Sequence, residues 1–517
     1  MNIFAYVWNK THTGTLIEYR RTKYQTVAVE SSGSTVSVYG DGILMYTIPD
    51  RYDARGIFHL IQSLRRDHRR VLVMGSGPGS LLHNLLQTDI ELHYFEPDPE
   101  LWSILHPYVR SIYRNTDEKK LVVHRQDLKN FLKNSDERFD MIVSIPPRPE
   151  NIMLNRFYTK EFYSLCKQHL NDRGICITAL HGFSNYMSPD LRDYIASIYA
   201  AFTGEFPVHR QTTGETMYLI GTQDKDILSD GVDALTQRYA KTKPADKREF
   251  EKEIIENFSP DELKMFFEKS QMQYFERIIA PLTLTIDANR DLKPVAYWKN
   301  IVLTAYKEQS ALYNIIRGLV FIPVLVLILS AAALWDIRRR HGTSSAVSGF
   351  LIYITGFVSI STMIILILLY QNFQGIVYYR ISLINALFML GLSLGGYCFT
   401  RTGYPGLVHV FAAIATTLIL ILVFANHEVL FPFWILLLAF SILCGAVFPL
   451  LFAADHGGDY YTRASVLDTM DHFGAIAGSL LTALFFVPFL GIQGTIIVNG
   501  ILILPASVIG FISFRRS

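Results

Sequence analysis

The residues of this 517-residue chain that could do chemistry gather around one glycine-rich turn. Arg70–Met74 (RVLVM) is a short β-branched run of the kind that forms a buried strand. Gly75-Ser76-Gly77-Pro78-Gly79 follows, and an apolar helix is predicted from Ser80. Strand, glycine turn and helix open a doubly wound α/β unit, where glycines permit the tight turn and let a ligand approach the backbone. A second strand over 92–95 ends in Glu96, and a carboxylate there can accept hydrogen bonds from both hydroxyls of a ribose. The strand Leu121–His124 is followed by Asp127. The strand Phe139–Ser144 leads into Pro146-Pro147-Arg148-Pro149 and Glu150. Singly, each acid reads as a helix cap or a surface carboxylate. Together, Gly75, Gly77, Gly79, Glu96 and Asp127 at the ends of successive strands predict a site for a nucleoside without a pyrophosphate, such as an S-adenosyl group.

A second group of ionisable residues lies far along the chain. Asp468 and Asp471, with His472 beside them, fall near the start of an apolar segment. At i, i+3 the two carboxylates are expected on one helix face. Ionisable groups at membrane depth are functional candidates, and the alternative is a headgroup-level helix entry. Asp455, His456 and Asp459 form only a weak metal-ligand set, so no metal site is predicted. The four cysteines (Cys166, Cys176, Cys398 and Cys444) include no CxxC pair, which argues against a disulfide framework or a zinc site.

The elements that must position these residues divide in two. The chain is 50% hydrophobic and 18% charged, with a mean hydropathy of +0.22. From Ala311 onward it carries nine Lys or Arg and six Asp or Glu, against 39 and 40 before that point, and no lysine follows Lys307. The expected organisation is a β-rich region over 1–64, a Rossmann-like α/β domain over 65–225, a helical connector over 226–310 and an all-α transmembrane bundle over 311–517. The α/β assignment follows from the alternation of strands and helices, which a helix over 159–170 and a strand over 174–179 continue. Seven apolar runs approach spanning length: 318–335, 346–370, 381–400, 407–425, 429–453, 466–490 and 494–514. The lipid bilayer is therefore the first predicted partner. A net charge of +2 carries no basic excess, so nucleic acid is not expected. Arg338, Arg339 and Arg340, read as a loop, join Arg401, Arg463, Arg515 and Arg516 on one side. The positive-inside rule then puts the C-terminus in the cytoplasm and, with seven spans, the N-terminal domain outside. The N-terminus lacks the apolar core of a signal peptide, so a cytoplasmic domain is the adopted expectation.

Several segments resemble the spermidine synthase (polyamine aminopropyltransferase) family. Tyr24-Gln25-Thr26-Val27 resembles its entry strand, Gly40-Asp41-Gly42 its hairpin turn, and Asn155 to Tyr163 (NRFYTKEFY) its FYTxEFY segment. Asn289 to Tyr297 (NRDLKPVAY) and Phe388 to Leu392 (FMLGL) resemble a narrower group, the bacterial membrane proteins described as fused MFS/spermidine synthases. The resemblance implies a spermidine-synthase-type fold with a small N-terminal β-hairpin region and residence in the bacterial inner (plasma) membrane. It also implies decarboxylated S-adenosylmethionine, S-adenosylmethionine or methylthioadenosine as ligand, held by Gln25, Gly75, Gly77, Gly79, Glu96 and Asp127.

Aminopropyl transfer needs carboxylates to bind a cationic amine and to take its proton. The resemblance locates them where this chain departs from the pattern. The acid of the glycine turn corresponds to Pro78, the general base to Ser144 and the second carboxylate to Pro147. On the N-terminal side, Met45, Arg51 and Ala54-Arg55-Gly56 stand where polar or acidic residues are expected. Glu150 is the nearest substitute carboxylate. Three readings stay open: a nucleoside- or partner-binding protein without aminopropyl transfer, a transferase with a changed acceptor, and a transporter with a structural synthase-like domain. A membrane-protein partner or a homo-oligomer is compatible with each.

Overall fold

The computed structural model describes residues 14–22, 24–48, 53–64, 68–75, 77, 79–109, 118–183, 186–228, 231, 233–235, 237, 264–307, 321–375, 378–401, 406–427, 432–455 and 459–514. Two compact units result: Met1–Asp291 with Val295–Ile301, and Leu292–Pro294 with Val302–Ser517.

The first unit opens with an antiparallel meander of four strands, β1 (Thr15–Arg21), β2 (Thr26–Ser32), β3 (Thr35–Gly40) and β4 (Ile43–Ile48). The β3–β4 turn is built on Asp41 and Gly42, both with positive φ (49° and 85°), the conformation that Asp-Gly favours in two-residue hairpins. Asp41 also ties the turn to β2, its Oδ1 accepting from the Thr26 N–H at 2.8 Å.

Helix α1 (Asp53–Leu64) leads into a seven-stranded sheet. Its chain order is β5 (Arg70–Met74), α2 (Ser80–Leu86), β6 (Glu91–Phe95), α3 (Pro99–Val109), β7 (Leu121–His124), α4 (Leu128–Asn134), β8 (Phe139–Ser144), the single turn α5 (Ile152–Asn155), α6 (Lys160–Gln168), β9 (Leu170–Phe183), α7 (Pro189–Thr203), β10 (Val208–Gln211) and β11 (Gly214–Thr222). In space the strands run β10-β11-β9-β8-β5-β6-β7. β5 to β9 are mutually parallel, and β11 and β10 close the edge antiparallel. Central strands such as β5 and β8 are continuous apolar runs because both faces are covered, as parallel sheets require. β9 extends beyond the predicted 174–179 because β11 pairs along it as far as Phe183. Helices α8 (Lys269–Ile279) and α9 (Val295–Lys307) follow.

The second unit is helical: α10 (Phe321–Gln374), α11 (Tyr378–Arg401), α12 (Leu407–His427), α13 (Phe433–Ala454), α14 (Tyr460–Leu481) running into a π-helical stretch (Thr482–Leu490), and α15 (Gly491–Phe514). Five continuous helices are long and apolar enough to cross a membrane, and two of these, Pro323–Gln374 and Tyr460–Ile509, hold 52 and 50 residues. At 1.5 Å per residue each is roughly 75–80 Å long, more than twice a ~30 Å hydrocarbon core. Both are broken by a glycine in the left-handed region, Gly342 (φ 88°) and Gly491 (φ 74°). The breaks divide the five into seven segments among the described residues. The expected loop at Arg338, Arg339 and Arg340 is corrected: these lie on the helix, which continues to Gly342. Arg340 pairs with Asp336 one turn back at 2.8 Å, and Arg339 lies over the Trp335 ring at 5.7 Å. Two glycine pairs at four-residue spacing, Gly391 with Gly395 and Gly474 with Gly478, pack inside this unit. A Cβ at Gly391 would fall 2.7 Å from the Ser441 Cβ, and one at Gly474 would fall 3.0 Å from the Tyr353 Cα.

Candidate functional site

The strand order reverses at β5, with β6 on one side and β8 on the other. Open α/β sheets bind ligands outside the carboxyl ends of the strands at such a point. Three predicted residues meet there: Gly75 after β5, Glu96 after β6, and Ser144 ending β8 in direct register with Met74. Gly75 has φ +84°, and a Cβ on it would lie 2.6 Å from the Ile145 carbonyl carbon. Gly77 has φ +66°, and a Cβ there would press on the Tyr46 ring at 3.0 Å. The turn thus fits between the loop after β8 and strand β4, a placement closed to any side chain. Gly79 is buried and forms the N-cap of α2. Gln25 packs over Gly40, its Cδ 3.2 Å from a Cβ there, beside Met45. Pro78 and Arg51, and the side chain of Arg55, lie outside the described residues.

Glu96 is 7% exposed. Its Oε2 accepts from the Tyr94 hydroxyl at 3.0 Å and its Oε1 from the Asp98 N–H at 3.1 Å. Burial pushes its pKa up to about 7; both hydrogen bonds oppose the rise, and the Asp98 charge adds to it. A carboxyl that changes charge near neutrality, with lone pairs left on both oxygens, is a competent acceptor for a diol.

Asp127 has another employment. It is the N-cap of α4, accepting from the Asn130 N–H at 2.9 Å, and it pairs with Arg156, whose side chain is fully buried. Next to it lies a second buried pair, Lys129 with Asp291, side chains 1% and 3% exposed. Asp291 also accepts from the Thr159 hydroxyl at 2.7 Å, and its N–H donates to Glu161 at 3.0 Å. Burial lowers the Lys129 pKa against the opposing pull of Asp291; burial, then the Asp291 charge, raises that of Glu161. Asn289, fully buried, completes the lock: its Nδ2 donates to the Tyr158 carbonyl at 2.9 Å and its Oδ1 accepts from the Ala296 N–H at 3.0 Å. The two most distinctive segments, NRFYTKEFY and NRDLKPVAY, therefore recognise each other.

On the β8 side the crevice carries no carboxylate among the described residues. The Ser144 hydroxyl is fully buried with no hydrogen-bond partner. The loop after it is fixed by Tyr158, whose hydroxyl lies 2.9 Å from the Pro146 carbonyl and 3.1 Å from that of Pro147. Arg148 and Glu150 are exposed, and an Arg148 terminal nitrogen lies 3.2 Å from His181 Nδ1.

In the second unit, the pair Asp468 and Asp471 separates. Asp468 is 70% exposed with His472 at 3.8 Å, whereas Asp471 turns inward and its Oδ1 would lie 2.6 Å from a Cβ on Gly356. The expectation of one shared face is corrected, since 60° of rotation suffices to divide an inward from an outward direction. Asp455 is buried and accepts from the Ser344 and Ser345 hydroxyls, both at 3.2 Å, and Asp459 caps α14. His456 lies outside the described residues. Among the described residues no three His, Cys, Asp or Glu could hold a metal ion.

Sequence reasoning missed Lys129, Arg156, Thr159 and Asp291 as a unit. One signal was available: Lys129 sits two residues after a cap in a helix whose other inward positions, Leu128 and Leu132, are apolar.

The first unit is thus a doubly wound α/β domain behind a small antiparallel sheet, in a chain that also carries helices apolar enough to cross a membrane. Residues 51–205 match the family described as spermine/spermidine synthase domain, so the chain carries a spermidine-synthase-like domain. It is 27% identical over 229 residues to polyamine aminopropyltransferase 2 of Aquifex aeolicus (strain VF5), covering 43% of this chain and 46% of that one. It is 26% identical over 204 residues to polyamine aminopropyltransferase of Lachnoclostridium phytofermentans, covering 36% and 70%. The chain spans less than half the length of several curated relatives it matches. The crystal structure of spermidine synthase from Thermotoga maritima aligns with a TM-score of 0.36 at 16% identity, over 48% of this chain and 87% of that one.

Proposed function

We propose that this is an integral membrane, spermidine-synthase-like protein whose α/β domain binds an S-adenosyl-type nucleoside and does not carry out polyamine aminopropyl transfer. Decarboxylated S-adenosylmethionine, S-adenosylmethionine and methylthioadenosine share the adenosyl part and are the candidate ligands. Gly75, Gly77 and Glu96 line the binding side, Glu96 taking the ribose hydroxyls. Asp127 serves by fixing α4. The observation that carries the loss of transfer is Ser144: the residue in register beside the glycine turn is a buried neutral hydroxyl, and the acid on the loop that follows, Glu150, is exposed. Without a base, a protonated amine keeps its proton, and removing such a group typically costs ~10²–10⁴ in rate. The domain boundaries stay those at 64, 225 and 310, with the α/β domain cytoplasmic and the lipid bilayer as partner.

One observation favours the second reading, a transferase with a different acceptor: exposed Arg148 on the loop after β8 suits an anionic group better than a polyamine.

The test is thermal unfolding of the purified full chain in detergent with each of the three nucleosides. Stabilisation by at least one, reduced in Glu96→Gln, supports the reading. No shift with any of them overturns nucleoside binding, and spermidine formed from putrescine overturns the loss of transfer.

A further inference from the structure

The helical unit forms an open pocket of about 330 Å³ among α10, α11, α13 and α14, and its one charged lining residue is an acid. Asp471 from α14 reaches it as a carboxylate, admitted by the absence of a side chain at Gly356. Thr355 and Thr400 line it with hydroxyls whose protons are already directed to backbone carbonyls, those of Leu351 at 2.9 Å and Tyr397 at 2.7 Å. Their oxygens are left to accept. α13 contributes a fourth acceptor through Pro449. Proline has no N–H, so the carbonyl four residues earlier, that of Gly445, receives no helical hydrogen bond from it. Gly445 lines the cavity, and its oxygen would lie 3.8 Å from a Cβ on Gly396 across the gap, directed at another lining residue.

No Lys, Arg or His lines the cavity. The remaining wall is formed by the apolar Ile352, Leu392 and Phe448 with Cys444 and the hydroxyl of Ser359. Within a membrane unit, a carboxylate and a freed carbonyl facing a hollow mark a place for a cation, because neither finds a donor in hydrocarbon. The volume is that of about ten waters, too large for a bare ion and suited to a small organic molecule. A primary ammonium offers three N–H donors to such a set, and a short alkyl chain matches the apolar wall.

We propose that this cavity binds a small organic monocation carrying a primary ammonium group, with Asp471 as its counter-ion and the Gly445 carbonyl as a second acceptor. The site is independent of the crevice at the glycine turn and would stand if that crevice bound nothing.

The experiment is calorimetric titration of the purified full chain in lipid nanodiscs at pH 7 with n-butylammonium, with n-butanol as the uncharged isostere and sodium as the inorganic cation. Saturable binding of n-butylammonium is expected, with n-butanol weaker by about thirty-fold or more, the factor for losing a desolvated charge pair. Asp471→Asn should show the same loss, whereas Asp468→Asn, on the outward side, should bind as the parent does. The ligand comparison is made on the unmodified protein, so it holds even if Asp471→Asn does not fold. Absence of saturable n-butylammonium binding, equal binding of n-butanol, or sodium binding at least as tightly would each overturn the proposal.

Discussion

Two regions of the α/β unit use charge in opposite ways. Around α4, Asp127, Lys129, Arg156 and Asp291 are buried or nearly so and form two ion pairs, Asp127 with Arg156 and Lys129 with Asp291. The latter two are 162 residues apart in sequence, while the Arg156 Nε and Nη1 have no hydrogen-bond partner among the described residues. In the crevice, two buried carboxylates, Glu96 and Asp98, follow β6, and neutral groups, the glycine turn and Ser144, end β5 and β8. The first region holds shape and the second is free to meet a ligand. The distinctive segments NRFYTKEFY and NRDLKPVAY are tied to each other and, through Tyr158, to the loop after β8, whereas the less distinctive acid after β6 belongs to the second region.

The comparison is most severely tested where the buried pairs are broken. Lys129→Met leaves Asp291 charged and unpaired, and chemical denaturation of the full chain should show a loss of about 3–5 kcal/mol. The double variant Lys129→Met with Asp291→Leu should recover most of it, because an apolar replacement removes both desolvation costs. A double variant no better than the single one would mean that the pair does more than hold shape.

Next in size is Glu96, through pH. Its folded pKa of about 7 lies above the usual carboxylate value of roughly 4.3, so the folded state holds an extra proton between those limits. Stability contributed by that proton is complete near pH 4 and is lost as pH rises through about 7. Glu96→Gln should then be more stable than the parent by about 2 kcal/mol at pH 8 and equal to it near pH 4.5. Nucleoside affinity of the parent should rise over the same interval as the carboxylate ionises. A pH-independent difference between the two proteins would place Glu96 in a solvated setting instead.

Asp127→Asn separates cap from ligand contact. It keeps the side-chain oxygen that receives the Asn130 N–H and removes the charge opposite Arg156, so a loss of about 1–3 kcal/mol is expected. Nucleoside affinity should stay within about twofold, since the lost pairing is structural. A tenfold weaker titration in a folded variant would return Asp127 to the ligand.

The smallest effect belongs to Ser144. Removing a buried hydroxyl without a partner costs nothing in hydrogen bonding, so Ser144→Ala should lie within about 0.5 kcal/mol of the parent or slightly above it. A loss above about 1 kcal/mol would show that the hydroxyl is hydrogen-bonded after all.

Much of this arrangement was legible beforehand, for local reasons. β-branched runs marked β5 and β8, positive-φ demand explained the glycines at 75 and 77, and Asp41-Gly42 announced its hairpin. Glu96 is a candidate for a local reason too, because the end of a second parallel strand has a fixed place beside the first. What could not be read was long-range. The pairing of Asp127 with Arg156 joins two different elements, and the role of Asp291 requires knowing that its segment folds back onto α4 and α6. Charges at Arg338, Arg339 and Arg340 suggest a loop in water, whereas the helix runs through them and breaks at Gly342, by its left-handed φ. Gly445 is silent in sequence, since its importance comes from a proline four residues on and from the neighbours that surround it.

The proposed division between a nucleoside side that binds and an amine side that is lost is tested most directly in one calorimeter cell. Full-length protein in detergent is titrated with decarboxylated S-adenosylmethionine while putrescine is present in excess. A saturable binding isotherm that returns to baseline after each injection is the predicted result. A sustained heat of turnover accompanied by spermidine, or no saturable heat at all, would contradict it.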